Sequence, residues 1–90
     1  MNRRLQKTKL VPGDLMTRTD WVPWTLLNKT DGYIKTIKMK DVFPGAPIAI
    51  FIGYESQDST KTIRIVWMDS GAVIEHNAAM MVKIDTKDFR

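Results

Sequence analysis

The second half of the chain alternates apolar and polar positions with the two-residue period of β-strands. Ile48-Ala49-Ile50-Phe51-Ile52 sets Ile48, Ile50 and Ile52 on one face and Ala49 and Phe51 on the other. Gly53 follows and is suited to a bulge or sharp bend. Glu55 to Thr60 is polar and reads as a loop. From Thr62 to Met68, Ile63, Ile65 and Trp67 alternate against Thr62, Arg64 and Val66. Asp69-Ser70-Gly71 is tight-turn chemistry, and Ala72 to His76 returns as a hairpin strand with Val73 and Glu75 facing one way and Ile74 and His76 the other. Asn77 is placed to cap a short helical turn over Ala78, Ala79 and Met80, before a last strand from Met81 to Asp85.

The first half is less regular. Pro12-Gly13-Asp14 predicts a turn, and Leu15 to Thr19 a short strand. Trp21-Val22-Pro23-Trp24 is excluded from a helix interior by Pro23, which lacks a donor and restricts its neighbour. Asp31-Gly32 is a hairpin signal, with Thr25 to Asn28 and Tyr33 to Met39 as the two expected arms. Phe43-Pro44-Gly45-Ala46-Pro47 marks another turn. The sum is five or six short strands and one helical turn, at the spacing of a small sandwich or barrel. An antiparallel barrel is the economical way for so short a chain to manage its sheet edges.

With 90 residues, 43% of them apolar and 27% charged, the chain has room for one globular domain with a small core. The expected organisation is a basic N-terminal arm over 1–9, a barrel over 10–85 and a polar tail over 86–90. Cysteine is absent, which excludes disulfides, thiolate metal sites and cysteine nucleophiles and suits a reducing cytoplasm. No run approaches the roughly 20 apolar residues of a membrane span. Met1-Asn2-Arg3-Arg4-Leu5 has no apolar region behind its arginines and does not read as a secretory signal.

Charge is uneven. Residues 1–40 hold nine Lys/Arg and three Asp/Glu, and residues 41–90 hold five and seven, within a net charge of +4. Two clusters, Arg3, Arg4, Lys7 and Lys9, then Lys35, Lys38 and Lys40, could meet phosphates and release counterions. An acidic second half opposes a duplex lying across both halves.

The order of these parts resembles an SH3-like barrel: a Pro-Gly-Asp-Leu start, a first strand, a long irregular loop, three further strands, a helical turn and a final strand. Val11-Pro12-Gly13-Asp14-Leu15 and Val66-Trp67-Met68-Asp69-Ser70-Gly71 are similar to segments of small uncharacterised proteins of tailed bacteriophages. The resemblance spans about residues 10–85 in architecture. It implies a fold and a phage origin, hence a host-cell cytoplasm or virion location, but no activity. The version of the fold that binds proline-rich peptides has an acidic first loop. Here Asp20 and Asp31 are outweighed by Lys29, Lys35, Lys38 and Lys40, which argues against proline-peptide recognition.

Catalysis has little to work with. The one histidine, His76, adjoins Glu75, but adjacent strand residues face opposite ways, and no base is placed beside Ser70. One histidine and no cysteine leave no transition-metal set, Asp85 and Asp88 read as a charged tail, and the scattered glycines make no phosphate loop, so no catalytic residue, metal or cofactor is expected. Binding chemistry is better supplied. Trp67 belongs to the core by its alternation with Ile63 and Ile65, whereas Trp21, Trp24, Tyr33, Phe51 and Tyr54 are the candidate partner-binding residues. The face carrying Ala49 and Phe51 is expected to be covered by the long loop or a second subunit. The leading expectation is a non-enzymatic protein–protein interaction module that docks on a host protein, a virion protein or itself. The alternative is a nucleic-acid-binding barrel using Arg3, Arg4, Lys7, Lys9, Lys35, Lys38 and Lys40 with loop aromatics.

Overall fold

A computed structural model describes residues 10–27 and 34–86. Six strands, β1 Leu15–Arg18, β2 Thr36–Lys38, β3 Ala49–Ser56, β4 Ser59–Trp67, β5 Val73–Asn77 and β6 Met81–Asp85, form one sheet in the order β2-β6-β1-β3-β4-β5. The molecule is thus mostly β, a small barrel-like fold with only short helical turns. Consecutive strands β3, β4 and β5 pair antiparallel, and β1 lies between β3 and β6.

The turns follow from their residues. At Pro12-Gly13, the Asp14 N–H donates to the Val11 carbonyl at 3.0 Å and Gly13 takes φ +102°. Proline fixes φ at the first central position and glycine alone enters the left-handed region freely at the second. The Asp14 carboxylate accepts from the Val11 N–H at 2.8 Å, closing the same turn from the other side. The Asn77 side chain accepts from the Ala79 N–H at 2.9 Å and caps the 3-10 turn Ala78–Met80, as expected.

One core lies inside the sheet's curve. It is built from Leu10, Met16, Ala49, Phe51, Ile63, Ile65, Ala78 and Met81, with Ile34, Tyr54, Trp67 and Ile74 packed on it. A second, smaller cluster of Val22, Ile37 and Val82 lies under Leu27 and Val42. Successive residues of β6 serve both, Met81 the first and Val82 the second. That strand is therefore almost continuously buried, as an edge-free central strand should be.

Four expectations need correction. The sheet is mixed, because β2 runs parallel to β6 in the register Thr36↔Lys83, Ile37↔Ile84, Lys38↔Asp85. Thr25 to Leu27 form part of a helical turn, Trp24–Leu27, rather than a hairpin arm. Pro23 pre-sets the first turn and its carbonyl accepts from the Leu26 N–H at 2.9 Å. The remainder of that hairpin, Asn28 to Tyr33, lies outside the described residues. Glu55 to Thr60 is no loop: β3 and β4 pair out to Ser56↔Ser59, with only Gln57 and Asp58 between them. Ser56 Oγ accepts from the Asp58 N–H at 3.1 Å, so polar residues here serve the turn.

The fourth correction concerns the faces of β3. Ala49 (0% exposed) and Phe51 (2%) face the core, needing neither loop nor subunit to cover them, while Ile52 is 40% exposed. A run apolar on both faces does not reveal which one is inside. The register decides it, since Met16↔Ala49 and Phe51↔Ile65 are buried pairs, whereas Leu15↔Ile50 and Ile50↔Val66 lie on the outer face. A bulge falls between Phe51 and Gly53, where glycine was expected to permit one.

Candidate functional site

The long connection from β1 to β2 is held at a few points and projects from the body between them. Thr19–Trp21 forms a 3-10 turn, with the Val22 N–H donating to the Thr19 carbonyl at 3.3 Å. Val22 is buried at 3% exposure and Leu27 packs beside it on the second cluster. Between these two anchors, Trp24 is 78% exposed and Leu26 40%. Phe43, at 44% exposure, comes in from the connection after β2. Its N–H donates to the Trp21 carbonyl at 2.8 Å, tying the two connections together. The Pro44-Gly45 turn then carries the chain away, with Gly45 at φ +86°. Trp24 and Phe43 share the wall of an open cleft of about 610 Å³, lined also by Thr19, Asp20, Val22, Pro23, Thr25 and Leu27.

A second cleft of about 430 Å³ opens where the sheet ends at β5. Trp67 and Ile74 form its apolar wall, and Arg18, Asp69, Ser70 and His76 its polar rim. Three of these four polar groups are already engaged. Arg18 pairs with Asp20 at 2.7 Å, the Ser70 hydroxyl oxygen accepts from the Ala72 N–H at 3.2 Å, and His76 Nδ1 lies 3.2 Å from the Asn77 carbonyl. Ser70 and His76 share this cleft, yet no nucleophile–base hydrogen bond joins them among the described residues. No group of three or more metal-ligating side chains occurs among those residues.

The candidate partner-binding residues separate. Trp24 is on the surface, and Trp21 is half-buried beside it. Tyr33 lies outside the described residues. Phe51 is a correction: its ring is core, because its side of β3 faces Ile63 and Ile65. Tyr54 is half-buried and meets the Phe51 ring edge-to-face, with centroids 5.2 Å apart at 69°, so most of its apolar body serves the core. Phe43 joins Trp24 at the cleft and was not among the candidates, although the Pro-Gly turn beside it marked its place.

The basic candidates separate as well. Arg3, Arg4, Lys7 and Lys9 lie outside the described residues. Lys38 and Lys40 are exposed at β2 and just after it, and Lys35 is half-buried before it. Among the described residues, seven Lys/Arg stand against eight Asp/Glu, a balance of −1. The positive charge of the whole chain, +4, therefore resides in the remaining residues and not in the described sheet. Lys83–Asp14 at 3.5 Å and Arg64–Glu75 at 2.7 Å further offset the cations on the body.

No helix among the described residues is long and apolar enough to cross a membrane. No family model matches this chain, and no curated protein or solved structure is significantly similar to it.

Proposed function

We propose that this chain is a non-enzymatic protein–protein interaction module of phage type, acting in the host-cell cytoplasm or in a virion, that docks a protein partner through the Trp24 cluster. The observation that carries this reading is the exposure of Trp24. A tryptophan presents roughly 150–250 Å² of contact area, mostly apolar. Left 78% exposed, it stabilises the fold little, because the anchoring of its segment is done by Val22 and Leu27. Phe43 and the cleft that it lines with Trp24 make a patch with a protruding knob and an adjoining hollow. That is the form of an interface hot spot, in which one or two large rings dominate the binding energy. The element order expected of an SH3-like barrel is compatible with such a role and names no ligand.

The test is capture on the immobilised full chain from bacterial lysate, at low and high salt, with wild type, Trp24→Ala and Lys38→Ala in parallel. Capture that survives salt, falls at least tenfold with Trp24→Ala and persists with Lys38→Ala is the expected result. Loss with Lys38→Ala and retention with Trp24→Ala would overturn the proposal and favour a phosphate-contacting surface instead.

A further inference from the structure

The outer face of the sheet is treated differently on its two halves. Over β6 and β2 it is covered by Val22, Leu27 and Val42. Over β3, β4 and β5 no element lies on it among the described residues. An apolar row crosses that bare half in register, Leu15↔Ile50, Ile50↔Val66 and Val66↔Val73. Exposure is greatest where the row reaches the sheet's edge: Val73 is 58% exposed, and Met68, beside the same edge, 57%.

The edge itself is open for pairing. β5 is the last strand of the order and has β4 alone as neighbour. The Trp67 N–H donates to the Ala72 carbonyl at 2.9 Å. By the alternation of an antiparallel ladder, Ile65↔Ile74 and Ile63↔His76 are then the bonded pairs, and the N–H and C=O groups of Val73 and Glu75 point away from β4. Sheet edges are ordinarily guarded by lysine, proline, a bulge or extreme shortness. The opposite edge, β2, is three residues long and ends in Lys38. β5 has five residues, Val-Ile-Glu-His-Asn, with no lysine, no proline and no break in its register with β4.

We infer that β5 is a self-pairing edge, where a second copy of this chain adds antiparallel across a two-fold axis to make one sheet continuous through both subunits. The occupant is a second copy because the strand complements itself. With Ile74 opposite its symmetry mate, Val73 of each copy pairs with Glu75 of the other, so the outward backbone groups of both are satisfied. Of the neighbouring registers, that centred on Glu75 sets like charges directly opposite, and that centred on Val73 sets Glu75 against Gly71, outside the strand. In the favoured register each Glu75 keeps its Arg64 partner, and the two Val73 side chains are diagonal neighbours across the axis. This surface shares no residue with the Trp24 cluster and stands whether or not that cluster binds a partner.

The test is sedimentation equilibrium of the full chain over a range of concentrations. Wild type is expected to be a reversible dimer, Val73→Glu, which sets like charges directly opposite in this register, a folded monomer by circular dichroism, and Trp24→Ala a dimer. The chain has no cysteine, so Ile74→Cys supplies the only thiol and is expected to form a disulfide-linked dimer on mild oxidation, whereas Asp58→Cys, at the far turn, is not. Monomeric wild type at high concentration, a Val73→Glu dimer as tight as wild type, or a dimer abolished by Trp24→Ala would each overturn the inference. Dimers that never link through Ile74→Cys would overturn the register.

Discussion

Single residues divide into those that hold the fold and those that present a surface, and exposure separates them where residue type does not. Phe51 and Trp24 are both large aromatic groups, yet at 2% and 78% exposure they have opposite roles. Phe51→Ala is expected to cost about 3–5 kcal/mol of stability, the range for a fully buried ring, read by urea denaturation. Trp24→Ala is expected to leave the denaturation midpoint within experimental error of wild type. Thr17 makes a subtler case. It is fully buried, and its hydroxyl donates to the Pro47 carbonyl at 2.6 Å. Thr17→Val keeps the shape and orphans that carbonyl, so a loss of about 1–3 kcal/mol is expected. Gly71, at φ +76° in the turn whose N–H donates to the Trp67 carbonyl at 2.7 Å, is expected to lose about 1 kcal/mol on substitution by alanine.

At the scale of elements, what was legible in the sequence was what depends on local chemistry. The strands Thr62 to Met68, Ala72 to His76 and Met81 to Asp85 are found within a few residues of their expected limits, because a turn or a cap bounds them. The Pro12-Gly13 and Asp69-Ser70-Gly71 turns and the Asn77 cap carry their geometry in their own side chains. What was not legible depends on distant partners. The face of β3 that becomes core is chosen by Met16 and Ile65, and Thr36–Lys38 is a strand only because Ile84 lies alongside Ile37. The exposure of Trp24 belongs to the same class, since it follows from Val22 and Leu27 engaging a cluster on β2 and β6. The loop is therefore part of the fold and not an appendage. Val22→Ala is expected to raise hydrogen exchange at Val82 and Ile37 more than at Ile63 and Ile65, because it uncovers one cluster and leaves the other intact.

For the whole molecule, the uneven charge matters more than its sum. The described sheet is close to neutral, so an interface on it is expected to be insensitive to salt, whereas contacts made with phosphates would weaken steeply as salt rises. The most direct measurement places a benzophenone amino acid at position 25, which lines the cleft beside Trp24, and separately at position 38, in the full chain within bacterial cells, then irradiates. Both positions are exposed, so both probes reach whatever is bound. A discrete protein adduct from position 25 and none from position 38 is the predicted result. Adducts to nucleic acid, or a protein adduct from position 38 alone, would contradict the claim that the Trp24 cluster is the surface by which this protein works.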